Sequence, residues 1–95
     1  MITRIVKMTF KASYCATFEA LFNAHKIKIQ NQPGCMHLEL LQDLEHPNQY
    51  ITYSIWKTPA DLEHYRQSEV FKYIWPLTKK GFDAPAQASS YINKS

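Results

Sequence analysis

The residues best suited to chemistry lie at the end of a predicted strand and on the helices that follow it. Tyr65 offers a phenolic hydroxyl and Arg66 a permanent positive charge, so together they could supply a hydrogen bond and charge stabilisation to a bound anion. Trp56, Phe71 and Trp75 have large flat side chains of the kind that line pockets for aromatic molecules. We take Tyr65 and Arg66 as candidate catalytic residues and the three others as candidate substrate-binding residues.

A structural interpretation of the same residues stays open beside this one. The aromatic side chains could be ordinary core, and Arg66 could pair on the surface with Glu63 or Glu69, each three residues away along the chain. The residue types alone favour neither interpretation.

The histidines and cysteines do not form a recognisable site. The four histidines lack metal-ligand spacing, and Cys15 and Cys35 lack a C-x-x-C spacing, so we predict no metal and two free thiols. His37 is in the middle of a predicted strand beside Glu39. Its side of the strand could face the pocket or a second subunit, and we add it to the substrate-binding candidates.

Alternating apolar residues predict a small sheet. The patterns over residues 2–10, 35–43 and 50–56 indicate strands, and a weaker pattern over 86–92 indicates a fourth. In the second strand, Met36 is predicted on the same side as Leu38 and Leu40, opposite His37.

Helix signals separate these strands. Ser13 is a candidate N-cap for a helix that ends near Gln30, before the turn-forming pair Pro33-Gly34. Thr58-Pro59 predicts a second helix start, and a break near Gln67 with a new cap at Ser68 predicts a third helix. Pro76 predicts a kink or an early stop, because proline cannot donate a backbone hydrogen bond.

The resulting order, β-α-β-β-α-β, predicts an α+β fold of the ferredoxin-like, split β-α-β type. Its four-stranded antiparallel sheet would carry the helices on one face. We expect one domain over residues 1–95, with a core over about 2–92 and a short mobile C-terminal tail. Both sides of the strands carry apolar residues, so the bare sheet face is expected to meet a second copy in a homodimer.

Composition and charge limit the partners. A net charge of +3 with scattered Lys and Arg gives no basic stripe for nucleic acid. No apolar run is long enough to cross a bilayer, and the N-terminus has no signal-peptide pattern. These features favour a cytoplasmic protein without nucleic-acid or membrane partners.

Several of these residues resemble the antibiotic biosynthesis monooxygenase (ABM) superfamily over roughly residues 2–92. The resemblance rests on the β-α-β-β-α-β plan and three motifs: Pro33-Gly34-Cys35 before the second strand, Trp56 closing the third, and the junction Tyr65…Ser68-Glu69-x-Phe71. It implies a dimeric α+β barrel, with a pocket between the sheet and helices of each subunit. It also implies oxidation of phenols or quinols with molecular oxygen and no metal or flavin, while other members degrade haem.

The chain departs from the family at its histidine positions. Two slots that often hold histidine are occupied by Tyr65 and Val70. The positions matching the asparagine, tryptophan and histidine of the haem-degrading members are Val6, Tyr65 and Trp75, which argues against haem cleavage.

Three functional hypotheses follow from the resemblance. The first is a cofactor-independent monooxygenase acting on a small aromatic or quinol-type metabolite, with oxygen as co-substrate. In this hypothesis Tyr65 and Arg66 favour the phenolate, which gives an electron to oxygen more readily than the phenol does. The second is a non-catalytic dimer that binds a small molecule, and the third is a structural barrel whose interior is filled by side chains.

Overall fold

The elements follow one another in the predicted order. The computed structural model describes all 95 residues. It contains four strands and three helices, with one 3-10 turn at Ala12–Tyr14. In chain order they are β1 (Ile2–Thr9), α1 (Cys15–Gln30), β2 (Cys35–Gln42), β3 (Gln49–Trp56), α2 (Pro59–Arg66), α3 (Glu69–Lys79) and β4 (Gln87–Ile92).

The strands form a single antiparallel sheet in the order β2-β3-β1-β4. This is the ferredoxin-like arrangement, so the predicted fold class is confirmed. In the central pair, Ile2 lies opposite Trp56 and Thr9 opposite Gln49. Because side chains alternate along a strand, this register places the even-numbered residues of β1 and β3 on the same side of the sheet. That side faces the helices.

The core lies between this side of the sheet and α1. Its buried cluster is rich in aromatic rings and comprises Met8, Phe10, Phe18, Phe22, Ile29, Leu38 and Tyr50. Phe10 is completely buried, with its ring 4.3 Å from that of Phe18 and 5.7 Å from that of Tyr50, measured between centroids. Stacked and edge-on pairs at these distances add to the stability that burial alone provides.

Both glycines sit where a larger residue could not. Gly34 has a φ of +79°, and a Cβ there would lie 2.3 Å from the Asp61 carboxylate. Its carbonyl accepts a hydrogen bond from the Lys57 backbone at 2.8 Å. A Cβ on Gly81 would lie 1.9 Å from the Tyr14 ring. The turn at Gly34 therefore holds the start of β2 against the start of α2, next to Trp56.

Three local predictions are wrong. Ser13 does not cap α1, because it lies within the 3-10 turn that leads into the helix. Of the two outcomes predicted at Pro76, a kink or an early stop, the early stop does not occur: α3 continues to Lys79 and buries Thr78, whose hydroxyl donates to the Ile74 carbonyl at 2.8 Å. Packing of this last turn outweighs the one backbone bond that proline removes.

The third correction concerns β2. A β-bulge between Cys35 and His37 leaves Met36 exposed, although it was predicted on the same side as Leu38. The bulge adds one residue to this strand and so shifts the alternation of its side chains. Cys35 consequently shares the helix-facing side with Leu38, and His37 lies on the opposite side.

No helix in the structure is long and apolar enough to cross a membrane.

Candidate active site

A cavity of about 260 Å³ lies between the inner side of the sheet and the three helices. Most of the side chains that line it are apolar, and they come from all three helices and all parts of the sheet. The polar lining residues are few: Arg4, Thr52, Ser54, Tyr65, Arg66 and Thr78. A largely apolar cavity with a few convergent polar groups is the usual form of a small-molecule site.

One wall of this cavity is a continuous series of aromatic rings. The ring of Tyr65 stacks on Trp56 at 5.0 Å between centroids with 19° between the planes, and meets Phe71 edge-on at 5.3 Å. Phe71 in turn stacks on Trp75 at 5.7 Å. Because each ring is held by the next, the wall offers a rigid apolar surface that an aromatic ligand could contact.

Local capping positions this wall. The Thr58 hydroxyl accepts from the Asp61 backbone N–H at 3.1 Å and so begins α2, as Thr58-Pro59 predicted. At the predicted break, Ser68 donates to the Tyr65 carbonyl at 2.6 Å and accepts from the Phe71 N–H at 3.2 Å. A single serine therefore joins the end of α2 to the start of α3 and sets the spacing of two rings in the wall.

Tyr65 is a hydrogen-bond donor in this setting. Burial raises its pKa above the ordinary tyrosine value, with a further contribution from the nearby Cys35 thiol. Its hydroxyl therefore stays protonated at neutral pH and can donate to a bound oxygen atom. The indole N–H of Trp56 is already used, since it donates to Ser54 at 2.9 Å.

Arg66 forms the surface ion pair of the structural interpretation and also lines the cavity, as the catalytic interpretation requires. Its guanidinium lies 3.4 Å from the Glu63 carboxylate, and about half of the Arg66 side chain is exposed. An exposed pair of this kind contributes little to stability. Arg66 nevertheless lines the cavity, so its charge is available at the mouth of the site.

Five of the six candidate residues come together around the cavity: Trp56, Tyr65, Arg66, Phe71 and Trp75. His37 does not. It lies on the open side of the sheet, where its ring is 5.2 Å from that of Tyr53 and its Nε2 is 2.5 Å from the Glu39 carboxylate. Its regular alternation with the buried, helix-facing Leu38 fixes this side, and we therefore remove His37 from the substrate-binding candidates.

Sequence reasoning missed Arg4, the only other charged residue in the lining. The alternation of β1 placed Arg4 on the same side as Val6 and Met8, so a charge on an otherwise apolar strand face was the available signal. It also missed the contribution of α1, whose Leu21 and Phe22 line the cavity as well.

The cavity lining contains no histidine, and Val6, Tyr65 and Trp75 are all part of it. These three occupy the positions matched to the haem-degrading members, and none of them is a histidine, the iron ligand that the resemblance implies. The lining therefore does not match that of the haem-degrading members.

A model of the antibiotic biosynthesis monooxygenase family matches residues 1–74 of the chain. Comparison with curated protein sequences gave no match.

Solved structures share the fold over nearly their whole length. A conserved protein from Methanosarcina mazei is 25% identical, with a TM-score of 0.93 over 99% of this chain and 94% of that one. An antibiotic biosynthesis monooxygenase candidate from Nitrosomonas europaea is 18% identical, with a TM-score of 0.93 over 100% of both chains. SnoaB, a cofactor-independent oxygenase from Streptomyces nogalater, is 16% identical, with a TM-score of 0.87 over 99% of this chain and 93% of that one.

Proposed function

The chain belongs to the antibiotic biosynthesis monooxygenase family, and from this premise we propose that it oxidises a small phenol or quinol with molecular oxygen. The reaction would take place in the cavity between sheet and helices, without a metal or flavin. The observation that carries the proposal is the pairing of an aromatic wall with the Tyr65 hydroxyl and the Arg66 charge in one apolar cavity.

Each of these features meets a need of the reaction. The wall holds a flat ring and excludes water around it. Tyr65 is protonated at neutral pH, and burial raises its pKa further, so its hydroxyl can donate a hydrogen bond to the ring oxygen, while Arg66 supplies a positive charge. Both interactions are stronger with a phenolate than with a phenol. They therefore favour loss of the phenolic proton, and the anion transfers an electron to oxygen more readily.

The proposed chemistry balances without a further reductant. A phenolate gives one electron to O₂, and the resulting superoxide and phenoxyl radical combine at a ring carbon to form a C–O bond. Cleavage of the O–O bond, with loss of the hydrogen on that carbon, releases water and leaves a quinone. One oxygen atom enters the product and the other leaves as water, so the substrate provides all the electrons.

The structural similarity to SnoaB supports the absence of a cofactor, since that protein is a cofactor-independent oxygenase. The cavity argues against the purely structural hypothesis, because side chains do not fill the space beside Trp56, Tyr65 and Phe71. A dimer that binds an aromatic molecule without turnover remains the alternative, and the test of function is designed to separate it from an oxygenase.

Oxygen uptake with a panel of phenols, hydroquinones and naphthoquinols tests the proposal. We expect at least one compound to be consumed with equimolar oxygen faster than its spontaneous oxidation, at a rate proportional to protein concentration. The rate should be unchanged after treatment with EDTA and removal of flavin by gel filtration. Heat-denatured protein is the control for non-specific effects. Binding of a panel compound without oxygen uptake would support the non-catalytic dimer instead.

We also propose that the open side of the sheet packs against a second copy, as the family resemblance implies. Ile5, Ile51 and Ile55 lie on this side of the central strands and are only partly buried, and Leu41 is exposed beside them. An apolar sheet face of this extent is unusual for a monomer.

Substitution at this face tests the dimer. Light scattering of the wild-type chain is expected to give twice the 11.1 kDa chain mass at micromolar concentration. Ile5→Glu should give the single-chain mass, because a carboxylate buried in an apolar interface loses its hydration without gaining a partner. Lys72→Glu, on the exposed side of α3, is the control and should leave the dimer intact. A wild-type chain that scatters as a monomer would refute the proposal.

A further inference from the structure

We infer that the substrate carries a permanently ionised group, such as a carboxylate, in addition to its reacting hydroxyl, and that Arg4 binds this group. The inference rests on the proposed function, because it names the substrate class of the same cavity. It concerns binding only, and it assigns a role to a residue that the proposed oxidation does not use.

The position of Arg4 is unusual for an arginine. Its strand, β1, lies between β3 and β4, and its side chain points to the helix-facing side of the sheet and lines the cavity. The residue is only partly exposed. Partial burial removes some of the hydration of the guanidinium, which is unfavourable unless a counter-charge or several acceptors replace it.

Arg4 has no acidic partner in the protein. Its one hydrogen bond runs from Nη1 to the neutral Ser90 hydroxyl at 2.9 Å. The two ion pairs in the structure, His37–Glu39 and Arg66–Glu63, do not involve it. A guanidinium has five N–H donors in a planar fork, so most of its donors remain free for a ligand.

The surroundings of Arg4 make its charge more unfavourable. Burial, and then the like charge of Arg66, lower the pKa of Arg4, although an arginine remains charged in this setting. None of the cavity-lining residues is acidic. The protein therefore places two positive charges on an apolar cavity and provides a carboxylate, Glu63, for only one of them.

A ligand with two negative charges matches this arrangement. The phenolate of the proposed reaction faces Tyr65 and Arg66, which leaves Arg4 as the partner for a second anionic group. A carboxylate suits a guanidinium because two parallel N–H···O bonds can form between the planar groups. Hydroxylated aromatic carboxylic acids with one or two rings have both the anion and the flat ring that the aromatic wall accepts.

Isothermal titration calorimetry with two probes of nearly equal shape tests the inference without requiring turnover. The probes are 2-naphthoate, which is ionised at pH 7, and 2-naphthamide, which is neutral. Wild-type protein is expected to bind 2-naphthoate at least tenfold more tightly than 2-naphthamide, because charge-assisted bonds in an apolar cavity are stronger than neutral ones.

Variants assign this preference to Arg4. Arg4→Gln should reduce the affinity for 2-naphthoate about tenfold and leave that for 2-naphthamide within twofold, whereas Arg4→Lys should keep most of the preference. Lys72→Gln removes the same charge from the exposed side of α3 and should change neither affinity. If Arg4→Gln does not fold, Arg4→Met, which keeps a long side chain and removes the charge, replaces it and should show the same selective loss for 2-naphthoate.

The outcomes separate the inference from the proposed function. Equal affinities of the wild type for the two probes, or a preference that survives Arg4→Gln, would overturn the anion site and leave the oxygenase untouched. Binding of neither probe would also overturn it, while uptake of oxygen with uncharged hydroquinones would still support the proposed function. Selective binding of 2-naphthoate without any oxygen uptake would support the anion site and contradict the oxygenase.

Discussion

Replacing Phe10 with alanine is expected to lower the free energy of unfolding by about 3–5 kcal/mol. The ring is completely buried and lies within 6 Å of Phe18, Tyr50 and Phe82 between ring centroids. Its removal leaves a cavity that the surrounding rings cannot readily close, because Phe18 belongs to α1, Tyr50 to β3, and Phe82 packs against Trp75 of α3. For a domain of this size, the loss is a large part of a total stability of roughly 5–15 kcal/mol.

Urea unfolding at a fixed protein concentration measures this effect, since any dimer would make stability depend on concentration. The melting temperature should fall by at least about 12 °C. Phe10→Leu keeps most of the volume and is the matched control, with an expected loss below about 1.5 kcal/mol. A loss of less than about 1 kcal/mol in the free energy of unfolding of the alanine variant would contradict the central position assigned to Phe10, because a loss that small is typical of surface substitutions.

Replacing Tyr65 with phenylalanine is expected to reduce kcat for oxygen uptake by roughly 100-fold, the usual effect of removing one donor to a developing anion. Phenylalanine preserves the ring that stacks on Trp56 and meets Phe71, so the wall and the fold should stay intact. Because burial keeps the pKa of Tyr65 above its ordinary value, the hydroxyl remains protonated through neutral pH. The loss should therefore be the same at every pH from about 6 to 9.

Steady-state oxygen uptake with the best substrate of the panel provides the measurement. Tyr73→Phe is the matched control, because Tyr73 is an exposed tyrosine of α3 that packs against His25 outside this cavity. Activity of Tyr65→Phe within twofold of the wild type would remove Tyr65 from the catalytic residues. A loss that varies strongly over this pH range would instead identify Tyr65 as a base.

Much of the architecture follows from local sequence signals, because those signals act over a few residues. Thr58 followed by proline begins α2, Ser68 begins α3, and Gly34 supplies the positive φ that turns the chain into β2. The order of these elements sufficed for the ferredoxin-like fold, and five of the six candidate residues line one cavity.

The departures from prediction have two physical causes. Both sides of the strands are apolar, so the hydrophobic pattern did not distinguish the side covered by helices from the open side. His37 lies on the open side because it alternates with Leu38, which is buried on the helix-facing side, and the bulge at Met36 changes only the side of the residues before His37. The predictions at Ser13 and Pro76 failed for another reason. A 3-10 turn precedes α1, and packing supports the last turn of α3, and both features depend on several residues rather than on one.

By itself, the sequence determined the elements, their order and the aromatic cluster at the corner after β3. Only the tertiary structure brought Arg4 of β1 into the same cavity as Arg66 of α2, residues that are far apart in the chain, and showed that none of the residues around that cavity is acidic. Periodicity and capping depend on neighbours in the chain, whereas the balance of charge in a cavity depends on side chains that meet only after folding.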